Sequence, residues 1–215
     1  MFVVTAAHCG DIVFLGTYSS DVIVAGIFDF MDKTQPDRQE IEIAEVFMSP
    51  LWNKGDKEQD VAVLKLKNRI RWGVGVQPAC MAHKDWTVPE GFMCVVSGWG
   101  MTDGSGSPAG SRTLRQAALN HMNDNDCYTL YQDANLDTTE DMQCFGTQQT
   151  GPEQGACNGD SGGPLQCYIN GKWYFSGIVS FGASKCDTDI ASIYAKVYHP
   201  KIHDFITQTI ADNSD

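Results

Sequence analysis

The sequence predicts an antiparallel all-β protein that ends in one helix. Short segments rich in Val, Ile, Phe and Tyr recur along the chain and are broken by Gly, Asp and Ser, the pattern of strands joined by turns. Between them lies no helical pattern of about 10 to 15 residues, the connection that a parallel sheet would require. The one stretch with long helical periodicity follows Pro200.

Taken in order, strands are expected over residues 11–15, 22–28, 40–47 and 61–66, and then over 94–98, 116–122, 172–180 and 193–197. Segment 76–91 carries Pro78 and Pro89, has no periodicity and separates the two groups. The Gly- and Ser-rich stretch from Thr102 to Ser111 reads as a surface loop rather than a linker between domains. After Pro200, whose fixed φ suits a first helical position, Ile202, Phe205, Ile206 and Ile210 fall on one face. There is no internal repeat and no low-complexity tract.

Composition narrows the function. The 215 residues are 42% hydrophobic and 20% charged, a globular balance that excludes disorder as the main state. No apolar run approaches the roughly 18 residues that span a bilayer, so no membrane partner is expected. The formal charge of −12 repels polyanions, and no nucleic acid partner is expected either. The 8 cysteines are spread singly, with no Cys-x-x-Cys pair. That argues for disulfides over zinc or redox chemistry, and hence for a secreted, extracellular protein. Met1-Phe2-Val3-Val4-Thr5 lacks the basic start and apolar core of a signal peptide, so an export signal upstream or an incomplete chain is expected.

Three strings carry the chemistry. In Asn158-Gly159-Asp160-Ser161-Gly162-Gly163-Pro164, a glycine-rich turn can expose both a hydroxyl and the backbone N–H groups that stabilise an oxyanion, making Ser161 a candidate nucleophile. Thr5-Ala6-Ala7-His8-Cys9 offers His8 as the base. Asp60, opening the apolar run Val61-Ala62-Val63-Leu64, can orient His8 and stabilise its charged form. Read one at a time, each has a plainer meaning: a tight turn, a buried structural histidine and a strand-initiating aspartate. His83, His121, His199 and His203 are left with such plain roles.

The order His, Asp, Ser, together with Ser97-Gly98-Trp99-Gly100, resembles the chymotrypsin-like (trypsin-like) serine endopeptidases along essentially the whole chain. The resemblance implies two packed antiparallel six-stranded β-barrels, the N-terminal one incomplete, and a C-terminal helix. It places a partial first barrel at 1–78, a connection at 79–92, the second barrel at 93–198 and the helix at 199–215. It implies that Ser161 attacks the scissile carbonyl, His8 shuttles the proton, Asp60 orients His8, and the N–H groups of Gly159 and Ser161 form the oxyanion hole. The base of the specificity pocket maps to Gly155 and its walls to Gly182 and Ser192, while Ser180 to Gly182 would pair with substrate backbone. With no acid at 155 to meet a buried cation, cleavage after Lys or Arg is disfavoured. Leu, Phe, Tyr or Met is expected before the scissile bond, in a pocket of reduced depth. Asp187 and Asp189 read as solvated loop carboxylates. The implied disulfides are Cys94–Cys167, Cys127–Cys144 and Cys157–Cys186, and Cys9 and Cys80 await partners upstream of Met1 or, less consistently with the family, each other. The implied partners are protein or peptide substrates and protein protease inhibitors, acting on a monomer that needs no cofactor.

Departures from the family set further expectations. The family's activated terminus inserts its ammonium group beside the aspartate that precedes the nucleophile, here Asp160. The chain starts seven residues before His8, so a truncated zymogen-type fragment of low activity is expected, with Asp160 buried and uncompensated. Ile23-Val24-Ala25-Gly26 resembles an activation sequence but reads as a strand. Ile27 and Phe28 stand where the family's calcium ligands would follow Gly26, so no metal is expected there. The competing reading is a catalytically silent, protease-like binding protein, against which the intact His8, Asp60 and Ser161 speak. A purely structural extracellular domain leaves the three ordered strings unexplained.

Overall fold

Residues 1–14, 22–102, 110–132, 138–147, 154–182, 186 and 190–214 are described by the computed structural model of the chain. Strands dominate them. The first group, β1 (Phe2–Thr5), β2 (Val22–Ala25), β3 (Gln39–Met48) and β4 (Ala62–Leu66), forms an open antiparallel sheet in the order β1-β4-β3-β2. Its inner strand β4 is buried at Ala62, Val63, Leu64 and Leu66, which is why its sequence is a near-continuous apolar run rather than an alternation.

The second group closes on itself. Strands β6 (Met93–Gly98), β7 (Arg115–Met122), β8 (Met142–Gly146), β9 (Pro164–Ile169), β10 (Lys172–Phe181) and β11 (Ser192–Lys196) run β11-β8-β7-β6-β9-β10, and β10 pairs back onto β11. A six-stranded barrel with no free edge among these strands results. The architecture is thus one closed barrel and one half-barrel sheet. Asn170 and Gly171 both take positive φ, 48° and 84°, the requirement of a tight hairpin turn whose twist matches its strands. That Asn-Gly pair marks β9, a strand missing from the expected set.

Several expectations need correction. Residues 11–14 are not a strand: they end α1 (Ala7–Phe14), and residue 15 lies outside the described residues. The apolar run there is too short for periodicity to separate strand from helix, and the Ala6 carbonyl accepts the N–H groups of Cys9 and Gly10 to start the turn. A second unexpected helix, α2 (Asp124–Gln132), follows Asn123, whose Oδ1 accepts the Asp126 N–H at 2.9 Å, with Asp124 and Asp126 in its first turn. A side-chain cap and acidic first turn are ordinary helix-start signals. The sheet is also not wholly antiparallel: β5 (Cys80–Met81), inside the aperiodic segment that separates the two groups, pairs parallel with β10. β1 and β8 were likewise absent from the expected set. Residues 103–109 of the expected Thr102–Ser111 loop, and Asp187 and Asp189, lie outside the described residues.

The expected C-terminal helix is α3 (Pro200–Asp212), with Pro200 at its first turn. Its Ile202 and Ile206 are buried with Ala6, Val61, Val63, Ile178, Ala195 and Val197. This cluster joins the open sheet, the barrel and the helix, so the two strand groups meet across a shared apolar contact. A separate barrel core holds Leu119, Phe145, Leu165 and Tyr194. Three disulfides, Cys94–Cys167, Cys127–Cys144 and Cys157–Cys186, follow the implied pairing, and Cys9 and Cys80 are unpaired thiols. Among the described residues no helix is long and apolar enough to cross a membrane.

Candidate active site

Asp60 stands at the foot of β4 and is fully buried. A buried carboxylate needs donors, and three reach it: the His8 backbone N–H to Oδ1 at 2.9 Å, the His8 ring at Nδ1 to Oδ2 at 2.7 Å, and the Ser180 hydroxyl to Oδ2 at 2.5 Å. The first two come from the start of α1, so that short helix presents both the amide and the ring of His8 to one acid. With Asp60 ionised, Nδ1 carries the proton of that contact, so in the neutral imidazole Nε2 is the nitrogen left to accept one. The His8 side chain keeps 22% of its exposure.

Ser161 lies on the turn between Cys157 and Pro164 and is exposed. Two contacts bring that turn to His8. Gly162 hydrogen-bonds β10 through its N–H to the Val179 carbonyl at 2.9 Å, one residue from Ser180. Its carbonyl accepts the Thr5 hydroxyl at 3.4 Å. A side chain at Gly162 is doubly excluded: φ is 75°, and a Cβ would sit 2.2 Å from Thr5 Oγ1 and 3.2 Å from the Ala6 nitrogen. The glycine after the serine is what lets the His8 segment and the Ser161 turn approach. The Ser161 hydroxyl makes no hydrogen bond to His8 in this resting arrangement; such bonds commonly tighten only when substrate is bound. Among the described residues, the N–H groups of Asp160, Gly162 and Gly163 donate to backbone carbonyls, whereas those of Gly159 and Ser161 donate to none. Gly159, at φ 95°, belongs to the same turn, which leaves these two N–H groups without backbone acceptors.

Two cavities flank the turn. A small one of about 60 Å³ is lined by Ser161, Ser180, Gly182, Ser192 and the Cys157–Cys186 bridge, so the structure brings four of the five residues sought for substrate binding and nucleophilic attack together there. Gly155 lines a larger cavity of about 540 Å³ with Gly98, Gly100 and Asp160, which also borders the Cys157–Cys186 bridge. Asp160 also departs from expectation. It is half-buried rather than buried, and its carboxylate accepts the N–H groups of Gly100 at 2.8 Å and Cys157 at 3.0 Å, so it is compensated by backbone. Among the described residues no cluster of three or more His, Cys, Asp or Glu is placed to hold a metal ion.

The family model described as Trypsin matches residues 1–206. The chain belongs to the trypsin family. Trypsin-family members are serine-type peptidases that act on proteins and are met by protein inhibitors, and the Asp60-centred network is the part of this trypsin-family chain that fits such chemistry.

The network changes the acidity of His8. Burial disfavours a charged imidazole and is the largest influence, but the hydrogen bond to Asp60, the Cys9 side chain and the Asp60 charge outweigh it, pushing the pKa from 6.5 up to about 10. Because the folded value lies above the unfolded one, this pair stabilises the fold fully below pH 6.5 and loses that contribution as pH rises through about 10. The difference in Tm between the chain and its His8→Ala variant is expected to shrink over that window. A base must be neutral to accept a proton, so kcat/KM is expected to keep climbing well above pH 6.5. A rate plateau reached by neutral pH would contradict the raised value.

The sequence pattern assigns Ser180 only to the substrate backbone; its hydroxyl bond to Asp60 joins residues 120 apart in sequence and leaves no local signature. Asp141, whose side chain reaches the residue before Asp60, carried no signal at all.

Proposed function

We propose that this trypsin-family chain is a secreted serine endopeptidase working through an acyl-enzyme: Ser161 attacks, His8 carries the proton, Asp60 holds His8, and the N–H groups of Gly159 and Ser161 receive the oxyanion. The observation that carries this reading is the His8–Asp60–Ser180 network assembled beside the exposed Ser161 turn. Loss of the Ser161 proton to Nε2 creates an imidazolium whose Nδ1–H already faces a buried carboxylate, so the charge formed in the step has its counter-charge in place. The ~540 Å³ cavity beside Asp160 supports zymogen-type control, in which an inserted ammonium group would compete with the Gly100 and Cys157 amides for that carboxylate. The three disulfides support an oxidising, extracellular setting. We read the working unit as a monomer.

For specificity, a large apolar side chain before the scissile bond remains the reading, narrowed toward Leu and Met. The pocket beside Ser161 is small, and Ser192 Oγ would stand 3.2 Å from a Cβ at Gly182, so a flat ring has less room than a flexible chain. Fluorophosphonate labelling followed by a P1 library of peptide substrates tests both parts. Modification of Ser161 with Leu and Met leading the profile is expected; Arg or Lys leading would overturn the specificity, and absence of labelling the activity. The competing reading is a silent binding protein, which unlabelled Ser161 in a well-folded chain would support.

A further inference from the structure

The turn that delivers Asp60 is held in an unfavourable shape. Lys57 and Gln59 take φ of 62° and 56°, a left-handed conformation that side chains other than glycine resist. Something must hold residue 59 there, since a relaxed backbone would rotate the next peptide and swing Asp60 away from His8. The Gln59 side chain does not do so by donation: it is 1% exposed and its Nε2 has no hydrogen-bond partner. The Gln59 backbone N–H, however, donates to Asp141 Oδ2 at 2.8 Å, a buried contact spanning 82 residues.

Asp141 is itself fixed. It is 2% exposed, its Oδ1 accepts the Thr139 hydroxyl at 2.5 Å, and its carbonyl accepts the Lys196 N–H at 2.7 Å. It sits immediately before β8 of the closed barrel, whereas Gln59 and Asp60 lie in the turn that leads into β4 of the open sheet. The contact therefore ties the half of the fold that carries the acid to the half that carries Ser161 and Ser180. The Gln59 carbonyl accepts the Val61 N–H at 2.7 Å, so both peptides around Asp60 are set by residue 59.

We propose that Asp141 is a positioning residue of the reaction: by gripping the Gln59 N–H it fixes the left-handed turn that aims Asp60 at His8. This rests on the reading of His8, Asp60 and Ser161 as the catalytic set. A carboxylate suits the task because a charge-assisted bond to a buried N–H is stronger than a neutral one. A purely structural Asp141 would alter stability alone. A positioning one also alters kcat.

The test uses the full chain with Asp141→Ala, Asp141→Asn, Thr139→Val and Gln59→Gly, read by kcat and KM on a leucine peptide anilide. The second readout is the low-field proton resonance between His8 Nδ1 and Asp60. Asp141→Ala is expected to lower kcat about 10- to 100-fold with KM within twofold, since misplacing a catalytic group by about an ångström has effects of that size. The low-field resonance should broaden or vanish. Asp141→Asn retains an acceptor oxygen and is expected to restore most of the rate. Gln59→Gly in the Asp141→Ala background should recover part of it, because glycine takes positive φ unaided. A folded Asp141→Ala variant with unchanged kcat and resonance would overturn the proposal, as would an Asp141→Asn variant no better than Asp141→Ala. If Asp141→Ala does not fold, Thr139→Val decides: a several-fold lower kcat with a shifted resonance supports the role, and parental values overturn it. If the parent chain itself shows no turnover, the activity reading fails on its own, and the resonance still reports whether Asp141 holds the His8–Asp60 pair.

Discussion

Ser161→Ala is expected to reduce kcat by about 10⁶-fold, and His8→Ala by a similar factor, with the double variant little worse than either alone. Those magnitudes are the general ones for serine nucleophile and base, and the geometry supplies the reason they should not add. Ser161 is exposed on a turn, and in the proposed mechanism its hydroxyl gains reactivity only when Nε2 of His8 takes its proton. His8 in turn is committed through Nδ1 and its own N–H to Asp60. Removing either member leaves the other without a partner in the step, and what survives is the contribution of the Gly159 and Ser161 N–H groups. Active-site titration with a fluorophosphonate, followed by steady-state hydrolysis, measures this. A His8→Ala variant labelled at the parental rate would show that proton transfer to His8 plays no part.

Opening the Cys94–Cys167 bridge is expected to destabilise the chain by about 4 kcal/mol, against about 3 kcal/mol for Cys127–Cys144. The loops closed are 73 and 17 residues long, and the entropy a cross-link removes from the unfolded chain grows only with the logarithm of that length. The first bridge also joins directly paired residues of β6 and β9 inside the barrel core, so paired alanines leave a buried gap as well. Denaturant unfolding of the two double-alanine variants tests the ranking. A larger loss from the shorter loop would mean that local packing around α2 outweighs chain entropy.

Much of this molecule was legible in its residues. Strands β2, β3, β4, β6, β7, β10 and β11 followed from runs of β-branched and aromatic residues bounded by Gly and Asp, because a pleated strand can bury such side chains without a partner helix. The C-terminal helix followed from a proline start and an apolar face. The chemistry-bearing strings were visible since a nucleophile in a glycine-rich turn, a histidine among small residues and an aspartate before an apolar strand are each local patterns. Local pattern failed where two structures share a signature. Ile12-Val13-Phe14 has strand composition yet ends a helix, because the fold needs a tight turn at Ala6 that delivers His8 to Asp60.

Side-chain partnerships between distant segments had no local trace. Ser180 on Asp60, Asp141 on the Gln59 N–H, the Thr5 contact with Gly162, and the backbone amides that compensate Asp160 all join residues brought together only when the barrel closes and β10 returns beside the Ser161 turn. What the sequence by itself determined was most of the strands, though not β1, β5, β8 or β9, together with the final helix and the reactive residue types, since these depend on side chains and their near neighbours. Only the tertiary structure decided that the acid is fully buried, that the N–H before it meets Asp141 from the barrel, that Gly155 lines the cavity beside Asp160, and that the pocket beside Ser161 is small. Those properties depend on burial and distance, and both arise between segments that the chain order keeps far apart.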